Sequence, residues 1–295
     1  MGLQQGKKIV NRRNLKKAGI IAAGVSATAI VVIMMLAIFK GGSNGGFTIR
    51  IDNPSVDNHV TMSTSSDGSN NSTLLSGDPV DKMYPSTAQD VESYLSSFTV
   101  NDIGGPKNMK DKNEARQAEG YFSAVVYTVF LTNYSDTEDQ KLDYEVHLHN
   151  YVAPENGAIN TLDYMRVMIQ TSTSATDIAG GRETRYFAMH NGSTLPDYDD
   201  RDRECISSYS VQLNEQTNKS YRKPEYVGLS KDGYCENFLM DENNDVIISE
   251  QLLIKPRETM RFTFASYLEG KDPDCKSYAP DSAVLLMSLH FGKKI

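Results

Sequence analysis

Tyr121–Asn133 reads YFSAVVYTVFLTN, an uncharged stretch without proline or glycine, rich in β-branched and aromatic residues. Those side chains fit a pleated strand better than a helix. Successive strand residues point to opposite faces, so Phe122, Ala124, Val126, Thr128 and Phe130 share one face. Tyr121, Val125, Tyr127, Val129 and Leu131 share the other. Both faces are apolar, as a central strand covered on both sides requires.

The segments around it continue the pattern. After the turn SDTEDQ, LDYEVHLHNYV (142–152) alternates, with Leu142, Tyr144, Val146 and Leu148 inward and Asp143, Glu145, His147 and His149 outward. YMRVMIQTS (164–172), TRYFAMH (184–190), CISSYSVQL (205–213), DVIISEQLLI (245–254), ETMRFTFASYL (258–268) and AVLLMSLHF (283–291) read as further strands. FTIRID (47–52) and HVTMSTS (59–65) alternate weakly, as edge strands do. SSDGSNNST (65–73) is a polar, low-complexity linker. STAQDVESYLSSF (86–98) is the best helix candidate outside the N-terminus. Ser86 or Thr87 can cap it, and Val91, Tyr94 and Leu95 fall on one face. That spacing predicts a short helix lying across one end of the sheets. The fold class is all-β: an antiparallel β-sandwich, jelly-roll or Ig-like, with one short helix and long acidic loops inserted within 152–245. A barrel is the alternative.

The N-terminus has its own character. Residues 1–17 carry six basic residues and no acid, and Ala18–Phe39 runs 22 residues without a charge. At about 1.5 Å per helical residue the run spans roughly 33 Å, enough to cross a bilayer core. It reads as an uncleaved transmembrane anchor followed by a flexible stalk over 40–46, with a cleaved signal as the alternative. The basic flank predicts a cytoplasmic N-terminus and an extracellular domain over 47–295, a single-pass protein of the cell membrane. Gly19, Ala23 and Ala27 recur every fourth residue, a small-residue face suited to self-association.

Beyond residue 40 the chain holds 23 basic against 38 acidic residues, a net charge of −15. Like charges argue against nucleic acid as a partner. All three cysteines, Cys205, Cys235 and Cys275, fall on the predicted outer side, where pairing is favoured and one is left over. No C-x-x-C or Cys/His cluster suggests structural zinc.

His147 and His149, two apart on one strand, point the same way and could hold a metal with a third ligand from a neighbour. Neither is followed by an obvious carboxylate ligand. PDYDDRDRE (196–204) gathers Asp197, Asp199, Asp200, Asp202 and Glu204 and invites calcium, but lacks the sixth-position glycine and twelfth-position glutamate of an EF-hand loop. DENNDV (241–246) is oxygen-rich as well. YLEGKDPDC (267–275) sets Asp272 and Asp274 around Pro273. It reads mainly as a corner carrying the chain from one sheet to the other, and secondarily as an ion site. No cofactor other than calcium is suggested. Sequons occur at Asn70, Asn71, Asn133, Asn191 and Asn218. No G-x-S-x-G elbow, phosphate loop or catalytic-cysteine signature is present, so an enzyme is not the expectation.

VVYTVFLTNYSDTEDQKLDYEVHLHN with YMRVMI, and IKPRETMRFTFASYLEGKDPDC with AVLLMSLHF, resemble the two halves of the camelysin and TasA-like surface proteins of Gram-positive bacteria. The resemblance implies a sandwich fold and a cell-surface location. Fibre-forming members of that class are released by a signal peptidase, whereas this chain carries a long uncharged run. A protease activity is attached to the camelysin name, but no motif here supports one. The expected function is therefore a structural or interaction role at the cell envelope. The alternatives are a glycan- or calcium-binding surface module and an envelope hydrolase.

Overall fold

The computed structural model describes residues 47–52, 59–77, 80, 82–149, 161–173, 181–188, 208–214, 219–225, 235–239, 246–270, 275 and 286–292. The chain divides into two compact units, residues 1–43 and 44–295, and every described residue lies in the second. The basic segment 1–17, the uncharged run 18–39 and the stalk 40–46 lie outside the described residues. No described helix is long and apolar enough to cross a membrane.

The described chain is mostly β. A first sheet is built from β1 (Phe47–Ile51), β3 (Leu74–Gly77), β8 (Gln140–His149), β14 (Val246–Ile254) and β16 (Leu286–Gly292), in the order β14-β8-β16-β1-β3. The second has the path β13-β10-β9-β15-β7-β2. Its strands are β2 (Val60–Ser63), β7 (Tyr121–Asn133), β9 (Met165–Ser172), β10 (Arg182–Ala188), β13 (Glu236–Asn237) and β15 (Thr259–Leu268). Three short strands, β4 (Lys82–Met83), β5 (Gly105–Pro106) and β6 (Met109–Lys110), also pair with β7. β11 (Ser208–Asn214) and β12 (Lys219–Glu225) form a separate antiparallel pair.

One apolar core fills the space between the two sheets. β1 and β8 supply Phe47, Ile49, Tyr144 and Val146, and the second sheet answers with Val129, Val167, Phe262 and Phe264. Phe47 stacks on Phe264, and Tyr144 meets Phe262 edge-on at 5.1 Å between centroids. Offset and edge-on contacts suit the ring quadrupole and add to the burial of large apolar surfaces. At one margin Arg185 of β10 donates to Glu236 of β13 and, at 3.0 Å, to Glu250 of β14, tying the second sheet to the first.

β7 explains the third layer. Tyr127, Val129 and Leu131 belong to the core between the sheets, while Ala124, Val126 and Phe130 belong to a second cluster on the opposite face. That face is covered by α1 (Ala88–Leu95) and the segment after it, through Ala88, Val91, Leu95, Val100, Ile103 and Met109. Thr87 caps α1, its hydroxyl accepting from the Asp90 amide at 3.1 Å. The helix therefore lies on a sheet face rather than across a sheet end. The outward phase of β7, β9 and β15 carries Ala124, Val126, Phe130, Met168, Ala265 and Tyr267, buried side chains that an end-on helix could not cover. Gly104 marks the tightest approach of this cover: a Cβ there would sit 1.8 Å from the Thr64 carbonyl oxygen.

Several expectations are corrected. The pairing is not wholly antiparallel, because β1 runs parallel to β16, β13 to β10 and β4 to β7. β1 and β16 are joined by no hairpin, so no turn dictates their relative direction. β1 is internal rather than an edge strand, since LLSG (74–77), just past the polar linker, pairs with its other side. One helix was expected, but α2 (Glu114–Ala118) and α3 (Thr161–Tyr164) are also present among the described residues. They are too short to leave a helical period in the sequence. The Asn113 side chain marks the start of α2 by accepting from Ala115 N and Arg116 N.

The linker 65–73 is a built turn. Asp67 accepts from the Ser65 hydroxyl and the Ser69 amide, Gly68 takes φ +72°, and the Ser72 amide returns to Met62 O at 2.9 Å. The corner after β15 does leave the second sheet, and β16 lies in the first. At its start Gly270 N donates to Ser86 O at 2.7 Å, and Glu269 is fully buried.

Candidate functional site

Residues of one strand phase that do not enter the core form the outer face of the first sheet. On β8, Leu142, Tyr144, Val146 and Leu148 are buried, which turns Asp143, Glu145 and His147 outward. On β16, Met287, Leu289 and Phe291 enter the core and Ser288, His290 and Gly292 take the opposite phase. The antiparallel register sets His290 directly opposite Glu145, and Ser288 opposite His147. Such cross-strand pairs bring Cβ atoms to about 4.5–5.5 Å. Asp52 follows β1, held by its amide to Phe291 O at 2.9 Å.

Three strands thus place two imidazoles among carboxylates. His147 Nε2 lies 3.2 Å from Glu145 Oε2. His290 Nε2–H donates to Asp52 Oδ2 at 2.6 Å. The two imidazole rings are 6.5 Å apart between centroids. Ser249 of β14, paired with Glu145, donates its hydroxyl to Glu145 Oε1 at 3.3 Å. Single ligand atoms of Glu145, His147 and His290 all lie within 4.8 Å of one another. Glu145 and His147 are half-buried, whereas His290 is 9% exposed. Gly292 clears the ground beside them, because a Cβ there would meet Asp52 Oδ2 and His290 Nε2 at 3.2 Å each.

A second polar group lies beneath α1. Arg166, Tyr267 and Glu269 are fully buried, and the Tyr186 hydroxyl donates to the Glu92 carboxylate. Burial pushes the Tyr186 and Tyr267 hydroxyls well up, helped by neighbouring negative charge. The Arg166 guanidinium donates to Met165 O at 3.1 Å. This cluster is enclosed among apolar residues of the outer layer, including Met168, Val91 and Cys235. The Tyr186–Glu92 contact ties α1 to the second sheet.

Of the residues singled out in the sequence, Asp197, Asp199, Asp200, Asp202, Asp272 and Asp274 lie outside the described residues, as does Cys205. Cys235 is disulfide-bonded and buried, and Cys275 holds a thiol beside the core between the sheets. His147 stands on the expected face. Glu145, two residues before it on β8, and His290 of β16 stand beside it, while the side chain of His149 lies outside the described residues. Alternation alone groups Glu145 with His147, but the partner strand 140 residues away has no local signature. The sequon at Asn133 is closed: the side chain is fully buried, and its Nδ2 donates to Glu138 O, Ile254 O and Lys255 O.

No protein-family model matches the chain, and searches of curated proteins and of solved structures find no match. The class that fold and site define is an all-β domain built on two large sheets, with a histidine–carboxylate cluster on the outer face of the first.

Proposed function

We propose that the chain is a membrane-anchored surface protein whose 47–295 domain, a jelly-roll or Ig-like sandwich, is displayed outside the cell in a structural or interaction role. The observation carrying this reading is the disulfide at Cys235. Disulfides persist in oxidising compartments and are rare in the cytosol. The uncharged run 18–39 behind six basic residues gives the means of attachment and its orientation. A cell-envelope or biofilm-type assembly is the setting suggested by the camelysin and TasA-like resemblance. The distribution of cover fits an interaction role: α1 closes the outer face of the second sheet, while Glu145 and His147 stay half-exposed on the first.

Carbonate extraction of membranes from cells expressing the full chain tests the anchor. The full chain is expected in the membrane pellet, and a variant lacking 18–39 in the soluble fraction. Release of the full chain by carbonate overturns the reading.

A further inference from the structure

We propose that Glu145, His147 and His290 form a binding site for a late first-row divalent metal ion, represented by zinc, on the outer face of the first sheet. Their ligand atoms already lie within 4.8 Å of one another. Zinc binds imidazole nitrogen and carboxylate oxygen at about 2.0–2.2 Å, which sets tetrahedral ligands about 3.3 Å apart. Binding therefore requires the three side chains to draw together by about 1.5 Å at most. Neighbouring strands β8 and β16 fix the spacing, with His290 opposite Glu145 in the ladder.

The donor set chooses the ion. Two imidazoles and one carboxylate suit zinc and its late first-row neighbours, whereas calcium and magnesium prefer oxygen alone. Asp52 supplies the orienting contact that metal-bound histidines commonly have. By accepting from His290 Nε2–H it leaves Nδ1 with the lone pair for the ion. Gly292 leaves room for the His290 Nε2–Asp52 contact that sets this orientation. Three protein ligands on a half-exposed face leave a fourth position open to water or to a partner's side chain.

The competing account is that His147–Glu145 and His290–Asp52 are only imidazole–carboxylate pairs on a polar face. Titration of the chelator-stripped full chain in detergent with Zn²⁺, and with Co²⁺ followed by visible absorption, separates the two. The proposal expects one equivalent of Zn²⁺ with Ca²⁺ unable to compete. His147→Gln and His290→Gln should each weaken Zn²⁺ binding at least about tenfold, and Asp52→Asn about 10–100-fold. His59→Asn should leave it unchanged; asparagine tolerates the left-handed φ of 48° at that exposed position. Glu145→Gln keeps size and fold while removing the charge, and should weaken binding with unaltered circular dichroism. Absence of saturable Zn²⁺ binding, or binding indifferent to all four site variants, overturns the proposal.

Discussion

Phe47 of β1 and Phe264 of β15 stack across the interface between the two sheets, with ring centroids 4.5 Å apart and planes inclined by 16°. One ring enters the first sheet near the start of the domain, and the other stands in the centre of the second. Phe264→Ala is expected to destabilise the fold by about 3–5 kcal/mol, the usual cost of emptying a buried aromatic site. Phe47→Ala should cost a similar amount. Because the rings touch, the double variant should fall short of the sum by about 0.5–1.5 kcal/mol. Denaturant unfolding of the full chain measures all three, and strict additivity would show that the stack contributes nothing beyond burial.

Asn133 ends β7 by donating to three backbone carbonyls and accepting from Ser135 N at 2.9 Å. Removing one partner leaves buried acceptors unsatisfied at about 1–3 kcal/mol. Asn133→Ala should therefore cost at least about 2 kcal/mol. Asn133→Asp should cost more, since its carboxylate would face those carbonyl oxygens. The same contacts block glycan attachment in the folded chain. Peptide mass spectrometry after expression in a glycosylating host should find Asn133 unmodified.

Asp67 organises the turn between β2 and β3. Hydrogen bonds from Ser65 and Ser69 lower its carboxyl pKa to about 2. A folded-state value below the unfolded one, about 3.9, gives stabilisation that is complete above the unfolded pKa. It is lost as pH falls towards 2. Asp67→Asn keeps an acceptor but cannot ionise, so the stability gap between parent and variant should shrink from pH 5 to pH 2. A gap that stays constant over that range would assign the effect to shape alone.

Alternation in β7 and β8 was legible because a strand with one core-facing phase must repeat every second residue. The same rule assigned Tyr127 and Val126 to opposite layers before any partner was known. The N-cap of α1 was legible through Thr87, a hydroxyl placed just before an apolar spacing. Pairing between distant strands was not. β1 reads as an edge strand because nothing in FTIRI reveals that SLHF will lie beside it in parallel. For the same reason His147 was visible as a candidate ligand while His290 was not. A β-ladder converts sequence separation into contact, and a single sequence carries no record of which strands it joins.

Cys235 is disulfide-bonded whereas Cys275 holds a thiol. Alkylation of the denatured, unreduced chain should therefore modify Cys275 and leave Cys235 blocked until a reductant is added. Cys235→Ser should cost about 2–5 kcal/mol, as expected for removal of a native disulfide. Alkylation of Cys235 without reduction would contradict the oxidised state on which the extracellular reading rests.

The most direct test of the account is protease access to a C-terminal epitope tag on the full chain in sealed membranes of known orientation. Outward display of residues 47–295 predicts that the tag is digested on intact spheroplasts and protected inside inverted vesicles. Protection on spheroplasts together with digestion on inverted vesicles would place the domain in the cytoplasm and contradict the account.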